Sequence, residues 1–75
     1  MKYRVLRRNF RVKVQTTRRS KPDPRSAVSG PKLAVGELLF SERLVEANGK
    51  SFVLTNDGHY VLASKLSPKV KLTAW

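Results

Sequence analysis

The sequence predicts an all-β fold: about five short strands closed into a small barrel, with one long basic loop. Three observations predict it. Apolar and polar residues alternate with a period of two in several short runs, and turn-forming residues separate those runs. At 75 residues the chain has room for one domain and one thin core. With no cysteine and a single histidine, His59, it has neither a disulfide nor a Cys/His zinc set to reinforce that core. Valine, leucine, alanine, phenylalanine and tyrosine must supply it, or the chain must self-associate, which leaves a homo-oligomer open.

The elements follow in order. Lys2 to Val5 alternates charged and apolar residues. Phe10-Arg11-Val12-Lys13-Val14-Gln15 does so over a longer run, with Phe10, Val12 and Val14 on one face and Arg11, Lys13 and Gln15 on the other. The two runs form two short strands or one strand bent near Arg7-Arg8-Asn9. Residues 16–32 then read as a long loop, because Pro22, Pro24, Gly30 and Pro31 exclude a helix and a central strand. Residues 37–47 contain good helix formers, and Asn48-Gly49 could close a helix. It is also the strongest two-residue hairpin signal, and the β-rich run Lys50–Thr55 that follows favours the hairpin. Asn56-Asp57-Gly58 is a second turn, leading to the β-rich run His59–Ala63. Ser64 to Pro68 reads as a single turn, and Val70 and Leu72 alternate with Lys69 and Lys71 as a last strand. Tyr3, Phe10, Phe40, Phe52 and Tyr60 are read as core, which leaves Trp75 as the one free aromatic.

Charge is the plainest functional signal. The chain holds 16 lysines and arginines against 5 acids, a net charge of +11. Residues 1–25 carry ten of the cations and a single acid, Asp23. Such asymmetry points to a polyanionic partner, since solubility alone needs a net charge of only about 2–8. Arg11, Lys13, Arg18, Arg19, Lys21 and Arg25 lie on one strand and the loop it feeds, and are the candidate nucleic-acid-binding residues. Arginine suits phosphate because its planar fork offers two hydrogen bonds at once. With few aromatics to stack bases, the expected mode is backbone contact with little sequence preference, to DNA or RNA. The alternative for these residues is a solvated charge run.

The residues give no sign of catalysis. His59 stands near Asp57, but no cysteine and no serine nucleophile motif accompanies them. Glu42 and Glu46 are read as salt-bridge partners. Gly30, Gly36, Gly49 and Gly58 are isolated turn glycines, with no phosphate-binding motif among them. The expectation is a non-enzyme without metal or cofactor. The basic N-terminus lacks the apolar stretch of a signal peptide, and no run is long enough to span a membrane. The expected location is therefore cytoplasmic or virion-associated.

Several segments resemble bacterial SH3-like domains, over about Val12 to Leu66. They are Arg19-Ser20-Lys21-Pro22, Val35-Gly36-Glu37-Leu38-Leu39, Asn48-Gly49-Lys50-Ser51-Phe52-Val53 and, most specifically, Gly58-His59-Tyr60-Val61-Leu62-Ala63-Ser64-Lys65-Leu66. The resemblance implies a small SH3-like barrel with a short 3-10 turn before its last strand, and a cell-wall or virion binding role. The chain departs from the family where Lys50 and Ser51 replace the aromatic that usually follows the central turn, and its long loop is longer. Asn9-Phe10-Arg11-Val12 and Gly30-Pro31-Lys32-Leu33 are more weakly similar to the SH3-like DNA-binding domains of retroviral integrases. Three functions follow as expectations: a nucleic-acid-binding module, a module docking on an anionic cell-wall polymer or a virion, and an assembly module docking on an acidic protein.

Overall fold

The computed structural model describes residues 2–23, 25–28 and 30–67. Five antiparallel strands form one sheet: β1 (Lys2–Val12), β2 (Leu38–Ala47), β3 (Lys50–Thr55), β4 (Tyr60–Leu62) and β5 (Leu66–Ser67), in the spatial order β4-β3-β2-β1-β5. A 3-10 turn, Ala63–Lys65, leads directly into β5. The sheet curls into a half-barrel compatible with a small SH3-like barrel, as expected from the sequence. Among the described residues no helix is long and apolar enough to cross a membrane.

Local chemistry explains the turns. Asn48 and Gly49 both adopt positive φ (54° and 73°), as a two-residue hairpin requires, so Leu38–Ala47 is a strand and its helix formers are overruled. In the second turn Gly58 takes φ 85°, and the Thr55 N–H donates to His59 O at 2.8 Å.

Curling depends on two register shifts. Between Val5 and Arg8, β1 carries one residue more than its partner, and between Ser41 and Arg43, β2 carries one more than β3. These bulges bend both long strands at one level. The buried Ser41 hydroxyl donates to the Leu6 carbonyl at 2.6 Å, a backbone acceptor displaced from the regular ladder by the bulge. Inside the curl, Phe10, Val12, Leu33, Leu39, Leu44, Val53, Val61, Ala63 and Leu66 form one cluster, with Leu6 packed against it. Leu33 comes from the connection between β1 and β2, one residue past the predicted loop, so the long connection contributes to the core.

A second, smaller apolar layer lies on the other face. Register places Leu44 beside Val53 and Val45 beside Phe52, so the two pairs point oppositely. Val45 and Phe52 are nonetheless buried. The sheet thus has apolar residues on both faces in its middle strands.

Several sequence expectations need correction. The strand predicted through Gln15 ends at Val12, and Val14 is 45% exposed. Its amide turns to the 3-10 segment instead, donating weakly to Lys65 O at 3.4 Å. Tyr3, read as core, is 57% exposed, and Phe40 and Tyr60 are half-buried. Ser64–Pro68, read as a single turn, contains the start of β5 at Leu66. The strand predicted around Val70 and Leu72, and Trp75, lie outside the described residues.

Replacing Ser41 by alanine, nearly the same size, removes the hydroxyl that donates to the Leu6 carbonyl. Chemical denaturation is expected to show a loss of about 1–3 kcal/mol, while a Ser41→Thr variant keeps more of the stability.

Candidate polyanion-binding surface

The six predicted residues run from the end of β1 out along the loop. Arg11 sits opposite Leu38 in β2 and Ser67 in β5. Alternation with the buried Phe10 and Val12 turns the Arg11 side chain outward.

 Its Nη1 donates to the Gly36 carbonyl at 3.3 Å. The Lys13 amide donates to Lys65 O at 2.9 Å, and its side chain is exposed.

The loop then folds into an irregular hairpin of its own. Thr16 pairs with Leu33 and Arg19 with Val28. Arg19 also pairs with Tyr60: its N–H donates to Tyr60 O at 2.9 Å, and the Tyr60 N–H returns a bond to Arg19 O at 2.8 Å. The loop therefore covers part of the otherwise open edge of β4. Nearer its tip, the Asn48 side-chain Nδ2 donates to Pro22 O at 3.0 Å, which ties the loop to the β2–β3 turn.

Two of the predicted phosphate ligands are also loop fasteners. Arg18 Nη1 donates to Pro31 O at 3.0 Å, and Arg19 Nη1 donates to Ser26 O at 2.7 Å. Each guanidinium carries five N–H donors, so one such bond orients the group and leaves others for an anion. Lys21 and Arg25 are exposed near the tip. The tip is held by its own bonds: the Ser26 hydroxyl reaches the carbonyls of Lys21 (3.0 Å) and Asp23 (2.7 Å), and the Arg25 amide donates to Asp23 Oδ1 at 2.9 Å.

The six residues are thus strung from sheet to loop tip. Arg11, Arg18 and Arg19 are oriented by carbonyls, whereas Lys13, Lys21 and Arg25 extend into solvent. A shallow cleft of about 270 Å³ lies along this path, lined by Gln15, Thr16, Thr17, Arg19, Lys32 and Leu62. Lys32 was not among the predicted ligands, because nothing in the sequence gives the pairing of the two loop arms. The Thr16–Leu33 pair brings it back beside the arm that carries Arg19.

A second group of cations was also outside the predicted set. Lys2, Arg4, Arg7 and Arg8 lie on the first half of β1, and Arg43 on β2. The Arg43 guanidinium stacks over Tyr3 at 5.1 Å, and that of Arg8 over Phe10 at 5.4 Å, both within cation–π range.

The acids are occupied locally. Asp23 caps the Arg25 amide, Glu37 accepts from the Ala34 amide at 2.7 Å, and Asp57 accepts from the Thr55 hydroxyl. Glu42 meets Arg7 at 3.3 Å, the only Lys or Arg ion pair among the described residues. Glu46 sits opposite Lys2 in the register of β1 and β2.

Asp57 and His59 are turn residues here. His59 Nδ1 stands 3.3 Å from Asp57 Oδ2, and the His59 amide donates to the Thr55 hydroxyl oxygen at 3.3 Å. Thr55 is only 4% exposed, and its hydroxyl organises the turn. No family model, curated protein or solved structure matches this chain.

The Thr55 hydroxyl, aided by His59 and opposed by slight burial, holds the Asp57 carboxyl below its ordinary range. A carboxylate with a lowered folded pKa adds stability above its unfolded pKa of about 3.9, and that stability is lost as pH falls through the folded value. Asp57→Asn is therefore expected to melt at a lower temperature at neutral pH. The gap to the parent chain should close as acid is added below about pH 4. Thermal melts across pH check this.

Proposed function

We propose that this chain is a non-enzymatic binding module of the SH3-like type that holds the phosphate backbone of nucleic acid. Its contacts are Arg11, Lys13, Arg18, Arg19, Lys21 and Arg25, with Lys32 added at the cleft. The observation that carries this reading is the placement of the acids. Residues 1–25 carry ten cations against Asp23 alone, and Arg7–Glu42 is the one Lys or Arg ion pair among the described residues, so the positive charge is left largely unneutralised along the strand and loop. A field of one sign draws a polyanion in at long range.

Two features suit a backbone ligand in particular. Carbonyl-oriented guanidinium groups lose less freedom on meeting a phosphate than freely rotating ones. The surface is extended and shallow, without a deep pocket for a base, which favours contact with little sequence preference. DNA and RNA share the phosphate chemistry that such a surface reads.

Titration of fluorescent duplex DNA and single-stranded RNA at several salt concentrations tests the proposal. Six phosphate contacts to duplex DNA give a log–log slope of about −5. Reversing Lys13, Lys21 and Arg25 together to glutamate should flatten that slope by about 3 or more. It should also leave the melting temperature nearly unchanged, because these side chains fasten nothing in the fold. Failure to bind either nucleic acid at low salt overturns the reading and assigns the charge to an acidic protein or an anionic wall polymer.

A further inference from the structure

Two aromatic side chains that the sequence assigns to the core reach the outer face of the sheet. Register places Val5 opposite Arg43, Arg43 opposite Leu54 and Leu54 opposite Tyr60. Directly opposed residues share a face, so these four side chains form one row across β1, β2, β3 and β4. Tyr3 sits opposite Val45, two residues along from Val5, and stands on the same face. That face is the outer one, because Leu44, between Arg43 and Val45, belongs to the core cluster inside the curl. No member of the row is buried. Val5 is 69% exposed, Arg43 is exposed, and Leu54 and Tyr60 are half-buried.

Tyr3 is 57% exposed, and the Arg43 guanidinium lies over its ring at 5.1 Å. A ring and a planar cation are thus held together, and both are groups on which nucleobases stack. Glu42, the acid next to Arg43, is paired with Arg7 at 3.3 Å. At its far end the row meets the long loop, where Tyr60 exchanges two backbone hydrogen bonds with Arg19. Three strand spacings of about 4.8 Å separate β4 from β1, roughly 14 Å in all. A short stretch of single strand spans that distance, so a chain anchored at the loop reaches Tyr3.

We propose that Tyr3, backed by Arg43, is a stacking platform for an unpaired base of a single-stranded nucleic acid. The inference rests on the phosphate reading above: the loop cations hold the backbone, and the outer face takes a base from the strand they anchor. Bases in a duplex are already stacked on one another, whereas a single strand can splay a base onto a protein ring. Every base has a π-face, so the platform adds affinity with little sequence preference. Val5 and Leu54 add apolar surface on either side of Arg43. A tyrosine–arginine pair can also simply brace β1 against β2, and the test separates the two roles.

The test uses the full chain and three oligonucleotides of one length. They are a plain single strand, the same strand made abasic, which keeps its phosphates but loses its bases, and a duplex. Binding is read by fluorescence anisotropy. The plain strand is expected to bind about tenfold more tightly than the abasic one, and to keep that advantage as salt is raised, since stacking releases no counterions. Tyr3→Ala should weaken the plain strand by about tenfold and leave the abasic strand and the duplex nearly unchanged. Tyr3→Phe should keep the parent affinity. Equal binding of plain and abasic strands, with a steep salt dependence, overturns the platform and leaves the phosphate reading standing. So does a Tyr3→Ala variant that weakens all three ligands alike, as a brace would, or that weakens none. Failure of all three to bind at low salt overturns the phosphate reading and the platform with it. If Tyr3→Ala does not fold, the Tyr3 ring-proton signals of the parent chain decide. They should move upfield with the plain strand and not with the abasic one, and unmoved signals overturn the proposal.

Discussion

The curl of the sheet is the constraint on which the rest of this structure depends. A flat five-stranded sheet of this size could not enclose a core. Here the extra residues near Leu6–Arg7 and at Glu42 bend β1 and β2 together, so that Phe10, Leu39 and Leu44 join Val61 and Leu66 in one core inside the curl. Bending a strand breaks its ladder, and the Ser41 hydroxyl bonded to Leu6 O compensates at the point where it breaks. A small polar residue buried in a thin core is thereby explained by what it satisfies.

The long loop works as part of the fold. One arm contributes Leu33 to the core, the other pairs with Tyr60 at the edge of β4, and the tip is tied to the β2–β3 turn. Exposed edges invite unwanted pairing, and the Arg19–Tyr60 pair covers one of them with a segment that carries cations. Arg18 and Arg19 link the two roles, since the guanidinium groups that face solvent also bond the loop's own carbonyls. Loop order and the charged surface are therefore coupled: loosening the loop would also disperse the charges.

The acids sharpen the same division. In many small basic proteins carboxylates are interspersed with the cations and cancel them in pairs. Here Asp23, Glu37 and Asp57 instead satisfy amides and hydroxyls at turns. They shape the chain locally, and with 16 cations against 5 acids the surface keeps a strong positive field. Two basic regions result. One runs from the end of β1 into the loop and is proposed to meet phosphate. The other, made by Lys2, Arg4, Arg7 and Arg8 with Arg43, lies on β1 and β2.

Much of this protein was determined by the sequence alone. Period-two alternation in Phe10–Val12 and Lys50–Thr55 and the turn chemistry of Asn48-Gly49 and Asn56-Asp57-Gly58 specify strands and hairpins, because both are local properties of a few adjacent residues. Prolines 22, 24 and 31 mark the loop for the same reason, and net charge needs only counting. Only the tertiary structure decided what depends on distant partners. Alternation cannot reveal that Tyr3 and Val5 are exposed, since a period of two gives the two faces of a strand but not which of them is covered. Nor could it place Val14 outside the sheet, where the chain leaves β1 to meet the 3-10 segment. The grouping of Arg19 with Lys32 needs the register of the loop arms, and the dual role of Arg18 and Arg19 needs carbonyls at Pro31 and Ser26. Local sequence carries the periodicity of each element, but burial and electrostatics are properties of the surroundings, and the surroundings exist only once the sheet has curled.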